Sequence, residues 1–166
     1  GGDDPALAPE TRVLPRIQVP PDERDIFFLD GSYCVKIFKG GAPIYAALSQ
    51  DVSGLEVGRR YQLIAPIYVD VFNWEGRKVP PTDPWAAQLR LGIGSTDTTW
   101  RDEGGVSYGE WWNGFNTPDF YLSYSDVDFE FIATEPEMTV YVEVLAKWGL
   151  ENNGFFMDDF KLVALP

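Results

Sequence analysis

Ser125–Ala146, SDVDFEFIATEPEMTVYVEVLA, is the stretch whose reading decides the fold. Val127, Phe129 and Phe131 alternate with Asp126, Asp128 and Glu130, and Thr139–Ala146 repeats the period through Val140, Val142 and Val144. A period of two places successive side chains on opposite faces of a strand, so the first run is a strand with one wet face. Outward from here the same pattern recurs. Tyr33, Val35 and Ile37 alternate with Cys34, Lys36 and Phe38 between the turns Asp30-Gly31 and Gly40-Gly41. Ile44–Val52 reads as another strand, SGLEVGRR as a turn, and Tyr61, Leu63, Ala65, Ile67, Val69 and Val71 as one face of a long strand. Pro66 lies within that strand, which predicts an edge position or a bulge. Leu89, Leu91 and Ile93 mark a further strand, and Phe155–Leu165 the closing one.

Seven to eight strands with turn signals between them, and no amphipathic helix of useful length, predict an all-β antiparallel β-sandwich, a jelly roll ahead of the immunoglobulin type. The 166 residues make one domain. Residues 31–166 form the sandwich, and residues 1–30 an extended lead-in rich in proline (Pro5, Pro9, Pro15, Pro20, Pro21). Val13, Leu14, Ile17 and Val19 allow one edge strand there. DDPALAPE at the start is linker-like, as in a domain of a larger protein.

Composition removes several functions. A net charge of −13 repels phosphate backbones and anionic lipid, so nucleic acid is not a partner. No apolar run is long enough for membrane insertion. The single Cys34 forms no internal disulfide, and the absence of histidine excludes the usual Cys/His zinc sites and the histidine-dependent triads.

Between the strands lies WRDEGGVSYGEWWNGFNTPDFY, Trp100–Tyr121, broken by Gly104, Gly105, Gly109 and Gly114. Trp111 and Trp112 cannot both enter one core. With Trp74, Trp85, Trp100, Tyr108, Phe115 and Trp148 they make an aromatic loop set beside Asn113, Gln88, Asn116 and other amides. Sugar rings stack their C–H faces on such rings and bond their hydroxyls to such amides. The competing reading is that the rings cap the ends of the core. Trp112 with Asn113 is the first place to look for a ligand.

Alternation along FFMDDFKLVAL places Asp158 on the same side as Phe160 and Leu162, the core side. An inward carboxylate needs backbone N–H groups, an arginine or a calcium ion, and the first and last are equally open. Asp126, Asp128 and Glu130 form a solvated outer row; a glycosidase would need two carboxylates across a cleft, and nothing specifies them.

Three stretches, IYAALSQDVSGLEVGRRYQLIAPIYV, LRLGIGSTDTTW and FEFIATEPEMTVYVEVLAKWGLENNGFFMDDFKLVAL, resemble the galactose-binding-domain-like jelly-roll carbohydrate-binding modules appended to bacterial xylanases and glucanases. A Q-x-V-x-G-L-x-P-G-x-x-Y segment is matched by Gln50, Val52, Gly54, Leu55, Gly58 and Tyr61, with Val57 in place of proline. Thr139-Val140-Tyr141-Val142 matches the T-V-x-V/L strand, and Asp158-Asp159-Phe160-Lys161-Leu162 the closing D-D-V-x-L. The resemblance implies a structural Ca²⁺ tying the closing strand to the amino-terminal one, with Asp158 as ligand. The N-G-x-F-E signature that supplies another ligand is missing, which leaves Asp25, Asp30 or a backbone carbonyl to complete the site.

The resulting expectation is a non-catalytic, extracellular or cell-surface module that binds a poly- or oligosaccharide through Trp74, Trp85, Trp100, Tyr108, Trp111, Trp112, Asn113 and Trp148. Its metal ligands would be Asp158 and Asp30. The alternative is a structural or protein-interaction module without a sugar ligand.

Overall fold

A computed structural model describes residues 8–101 and 104–166. The described residues form thirteen strands: β1 Glu10–Pro15, β2 Tyr33–Phe38, β3 Ile44–Ser53, β4 Arg60–Val69, β5 Asn73–Trp74, β6 Lys78–Val79, β7 Ala87–Gly94, β8 Val106–Tyr108, β9 Trp112–Asn113, β10 Tyr124–Ile132, β11 Glu137–Ala146, β12 Gly154–Met157 and β13 Lys161–Ala164. The first sheet runs β1-β2-β12-β4-β10, with β13 also on β4; the second runs β3-β11-β7-β8, with β9 also on β7. All pairings are antiparallel, and β5 and β6 make a small separate hairpin. The chain is an antiparallel β-sandwich of the jelly-roll kind. No described helix is long and apolar enough to cross a membrane.

The core lies where the two sheets face. Ile37, Leu63, Ala65, Ile67, Val69, Val127, Phe155 and Met157 come from one sheet, and Ile44, Leu89, Leu91, Ile93, Val140, Val142 and Val144 from the other. These are the period-two positions, and each full burial of such a side chain contributes about 1.5–3 kcal/mol. The outward carboxylates of β10 lie on an edge strand, where Gln62 donates to Asp128 and Arg60 approaches Glu130. Charge on an edge discourages pairing with a second chain.

A second, smaller core sits on the outside of the first sheet. Residues 16–30, with the short helix α1 Arg24–Phe27, fold across it and bury Val19, Phe27 and Phe28 against Cys34, Tyr68 and Phe156. Phe27 stacks on Phe156 with ring centroids 4.0 Å apart, and the Tyr124 hydroxyl donates to the Phe27 carbonyl. Strand β4 is therefore buried on both faces, which is why Tyr68 is hidden as well as Ile67. Burial pushes the Cys34 thiol up to about 11, helped by the Asp158 charge. At pH 7 the native thiol should react with a disulfide reagent about 100-fold more slowly than the urea-unfolded chain; equal rates would contradict this packing.

Pro66 is not at an edge, because β4 lies between β10 and the closing strands. The bulge is in its partner instead. Met157 pairs with Ile67 and Lys161 with Ile64, so Asp158, Asp159 and Phe160 stand opposite only Ala65 and Pro66. A residue's N–H and C=O point to the same neighbour in an antiparallel ladder, and the Pro66 carbonyl faces the Asp158 N–H. The amide hydrogen that proline lacks would thus have faced this bulge. The closing strand is split, and Asp159 adopts φ 54°. Phe155 and Met157 face the main core and Phe156 the outer one, so Asp158 continues the outer face and not the core side expected from the sequence. The extra residue of the bulge shifts the alternation so that Leu162, two residues after the exposed Phe160, packs against the main core again.

Candidate functional site

On the outer face of the second sheet, strand register aligns three cross-strand rows. Tyr45, Leu145, Gln88 and Asn113 form one, Ala47, Glu143 and Arg90 the next, and Ser49, Tyr141, Gly92 and Tyr108 the third. Sequence alternation puts these residues outside, but only the register sets Arg90 opposite Glu143. The Arg90 Nε and Nη2 donate to Glu143 Oε2 at 2.9 and 2.8 Å. Glu143 is fully buried, and its Oε1 has no hydrogen-bond partner.

Aromatic rings enclose this ion pair. The guanidinium of Arg90 lies 3.7 Å from the Tyr108 ring centroid and 4.4 Å from that of Trp111. Tyr45 meets Trp100 edge to face at 5.0 Å. The Tyr108 hydroxyl donates to the Trp100 carbonyl, tying the loop to the sheet. Gly92 is required here, because a Cβ at that position would sit 2.6 Å from the Tyr108 ring. A hydrogen bond to Glu143 raises the Tyr45 hydroxyl above its ordinary value, and burial followed by the Glu143 charge does the same for Tyr108. Both stay protonated donors at neutral pH.

Beyond the Tyr45–Gln88 row, the sheet ends in a second aromatic group. Trp85 and Phe115 stack at 5.5 Å with 18° between their planes. Phe115 is 73% exposed, Trp85 47% and Trp148 46%. Asp83 ties one of these rings to the backbone of another: its Oδ2 accepts from the Trp148 indole Nε1 at 3.0 Å and its Oδ1 from the backbone N–H of Trp85 at 3.0 Å. Lys147 lies 3.5 Å from Asp83 and covers the Trp148 ring at 4.4 Å. The Trp148 bond, then the Trp85 N–H, lowers the Asp83 carboxyl below its ordinary value.

Phe115 is aimed by its loop. Asn113 Oδ1 accepts the N–H of Phe115 and of Asn116, while its Nδ2 donates toward the Trp111 carbonyl. Asn113 is accordingly buried and serves the turn, and Trp112 packs against the main core. That pair is the frame of the loop, and its neighbours Trp111 and Phe115 face outward from it. Trp100, Tyr108 and Trp111 gather around Arg90, and Trp85 and Trp148 around Asp83. Trp74 stands apart on the β5–β6 hairpin, its N–H bonded to the Glu151 carboxylate. Tyr45, Asp83, Arg90 and Glu143 were missing from the sequence expectation; for the last two, alternation placed them outside and only the sheet register joins them.

The residues expected to hold calcium do not fit it. Asp158 Oδ2 accepts the N–H of Leu29 at 2.9 Å and of Asp30 at 3.1 Å, and Oδ1 accepts the N–H of Asp159 at 2.9 Å. Calcium takes six to eight oxygen ligands, whereas this carboxylate faces hydrogen-bond donors. Asp30 contributes its amide here. Among the described residues no group of three or more His, Cys, Asp or Glu is placed to hold a metal.

No family model and no curated protein matches the sequence. Solved structures match its shape. The chain is similar to TmCBM61, solved with β-1,4-galactotriose, at TM-score 0.59 and 15% identity over 98% of this chain and 85% of that one. The fold is that of carbohydrate-binding-module jelly rolls. The same module fold appears in the Clostridium thermocellum xylanase 10B structure of CBM22-1 and GH10 modules with xylohexaose, at TM-score 0.53 and 9% identity over 99% of this chain and 25% of that one. The CBM22-1 xylan-binding domain from Paenibacillus barcinonensis matches at TM-score 0.51 and 10% identity over 95% and 84%.

Proposed function

We propose that this domain is a non-catalytic saccharide-binding module of an extracellular or cell-surface protein, one part of a longer multidomain chain. The observation that carries the reading is the exposed aromatic end of the second sheet. Trp85, Phe115 and Trp148 remain 46–73% exposed although Asp83 and the Asn113 turn hold them in place. Large apolar surface kept fixed and open to water marks a binding surface. Flat rings suit the C–H faces of pyranose units, and Gln88 and Tyr45, in one cross-strand row, stand on the same side to meet hydroxyls. The wider surface carries a net charge of −13, which favours a neutral or cationic glycan over a polyuronate. Three similar modules named for or solved with β-1,4-galactotriose, xylohexaose and xylan lend the reading support from fold alone.

The face is poorly suited to hydrolysis. A glycosidase presents two free carboxyl groups about 5–9 Å apart across its substrate. Here Glu143 is buried beneath Arg90, and Asp83 is engaged by Trp148 and Lys147. Titration calorimetry against soluble galactan, xylan, β-glucan and chitosan oligomers, with pull-down on the insoluble polymers, should give binding to at least one. Silence from the folded protein across both formats would overturn the proposal and leave the aromatic end as a protein interface.

A further inference from the structure

The resemblance read from the sequence implies a calcium ion between the closing strand and the amino-terminal segment. In this chain the two segments are joined through Asp158, at the break in pairing opposite Pro66. Asp158 follows Phe156 on the outer face of the first sheet, and that break leaves its carboxylate facing the segment that covers that face. There it meets the backbone amides of Leu29 and Asp30, 128 or more residues away in sequence, and its second oxygen takes the Asp159 amide. Backbone N–H groups converging on a carboxylate form an anion-binding nest, whose dipoles repel a metal ion.

The local positive charge is also supplied from within the chain. Lys161 Nζ lies 2.6 Å from Asp159 Oδ2. That bond, with the Asp159 charge next and Asp126 and Asp30 adding, raises the Lys161 ammonium above its ordinary value. A lysine thus stands among the acidic residues where a divalent cation would otherwise balance them. We propose that the Asp158 amide clamp replaces the calcium tie, so that docking of residues 16–30 over Tyr68 and Phe156 depends on Asp158 and not on metal. The clamp is separate from the aromatic face, and its test does not depend on any glycan being bound.

The test compares the wild-type chain, Asp158→Ala and Asp158→Asn by thermal melting in chelator and in millimolar Ca²⁺, and by tryptic cleavage after Arg16 and Arg24. The wild type should melt within about 1 °C in the two conditions, whereas a ligand bound only by the native state raises the melting point. Asp158→Ala should melt about 5 °C lower or more in both, with faster cleavage after Arg24. Asp158→Asn should fall between, because its one carbonyl oxygen can still accept the Leu29 and Asp30 amides. A wild-type melting point raised several degrees by Ca²⁺ would overturn the proposal whatever the variants do. So would an Asp158→Ala chain with unchanged melting and cleavage.

Discussion

Replacing Trp85 and Phe115 together with alanine should abolish retention on the glycan that the intact domain binds, while the melting temperature moves by no more than about 3 °C. The two rings stack mainly on each other, and about half or more of each is already in water, so their removal opens little cavity. Their contribution to a ligand is much larger. Aromatic side chains at the centre of a binding surface commonly account for 2 kcal/mol or more each, which is roughly a 30-fold loss of affinity per ring. Trp148→Ala should weaken binding similarly, but it also frees Asp83 from its indole partner and adds a small stability cost. Trp112→Ala is the contrasting control. That ring packs against the main core, so its loss should cost about 3–5 kcal/mol and lower the melting point by roughly 10 °C. Calorimetry of the three variants on one glycan, paired with melting curves, checks the set. Binding retained by the Trp85/Phe115 double variant would place the ligand elsewhere.

These contrasts mark where the sequence was legible. β10 and β11 could be read directly, because each alternates with a clean period and the two faces meet different surroundings. The closing segment misled for the same reason. Phe155–Leu165 continues an apolar rhythm through Asp158, yet the rhythm is broken by a proline about ninety residues earlier, and only strand pairing brings the two together. Pro66 did announce a disturbance, and the disturbance was accommodated in its partner.

The aromatic set shows a second limit. Composition and glycine spacing show that the rings of Trp100–Tyr121 cannot all be buried, but they do not say which. Between adjacent residues the answer came from neighbours: Trp112 pairs with Leu89 and takes the core side, leaving Trp111 to lie on Arg90. Asn113 carries the same amide as a sugar-binding asparagine and spends it on the turn that aims Phe115. Residue type alone does not separate a ligand contact from a loop brace; the accounting of its hydrogen bonds does.

The Arg90–Glu143 pair should show the largest stability effect of any polar substitution in the domain, and an asymmetric one. Arg90→Met leaves a carboxylate at 0% exposure without its cation and should cost about 3–5 kcal/mol, lowering the melting point by roughly 10 °C or more. Glu143→Leu leaves the guanidinium, whose side chain is 23% exposed and rests on Tyr108 and Trp111, so it can turn toward water and lose less. The double variant Arg90→Met with Glu143→Leu removes both charges and should recover most of the stability of the parent, since a buried pair gains little over a well-packed apolar one. It should not recover ligand binding, because Tyr45, Tyr108 and Trp111 are set against the charged pair and lose their anchor with it. Melting curves for the three variants measure the coupling, and calorimetry on the double variant separates the two roles. Recovery of stability and binding together would show the pair to be a packing element only. A double variant as unstable as Arg90→Met alone would show that the apolar pair does not fill the space between Ala47 and Tyr108 that the ion pair now occupies.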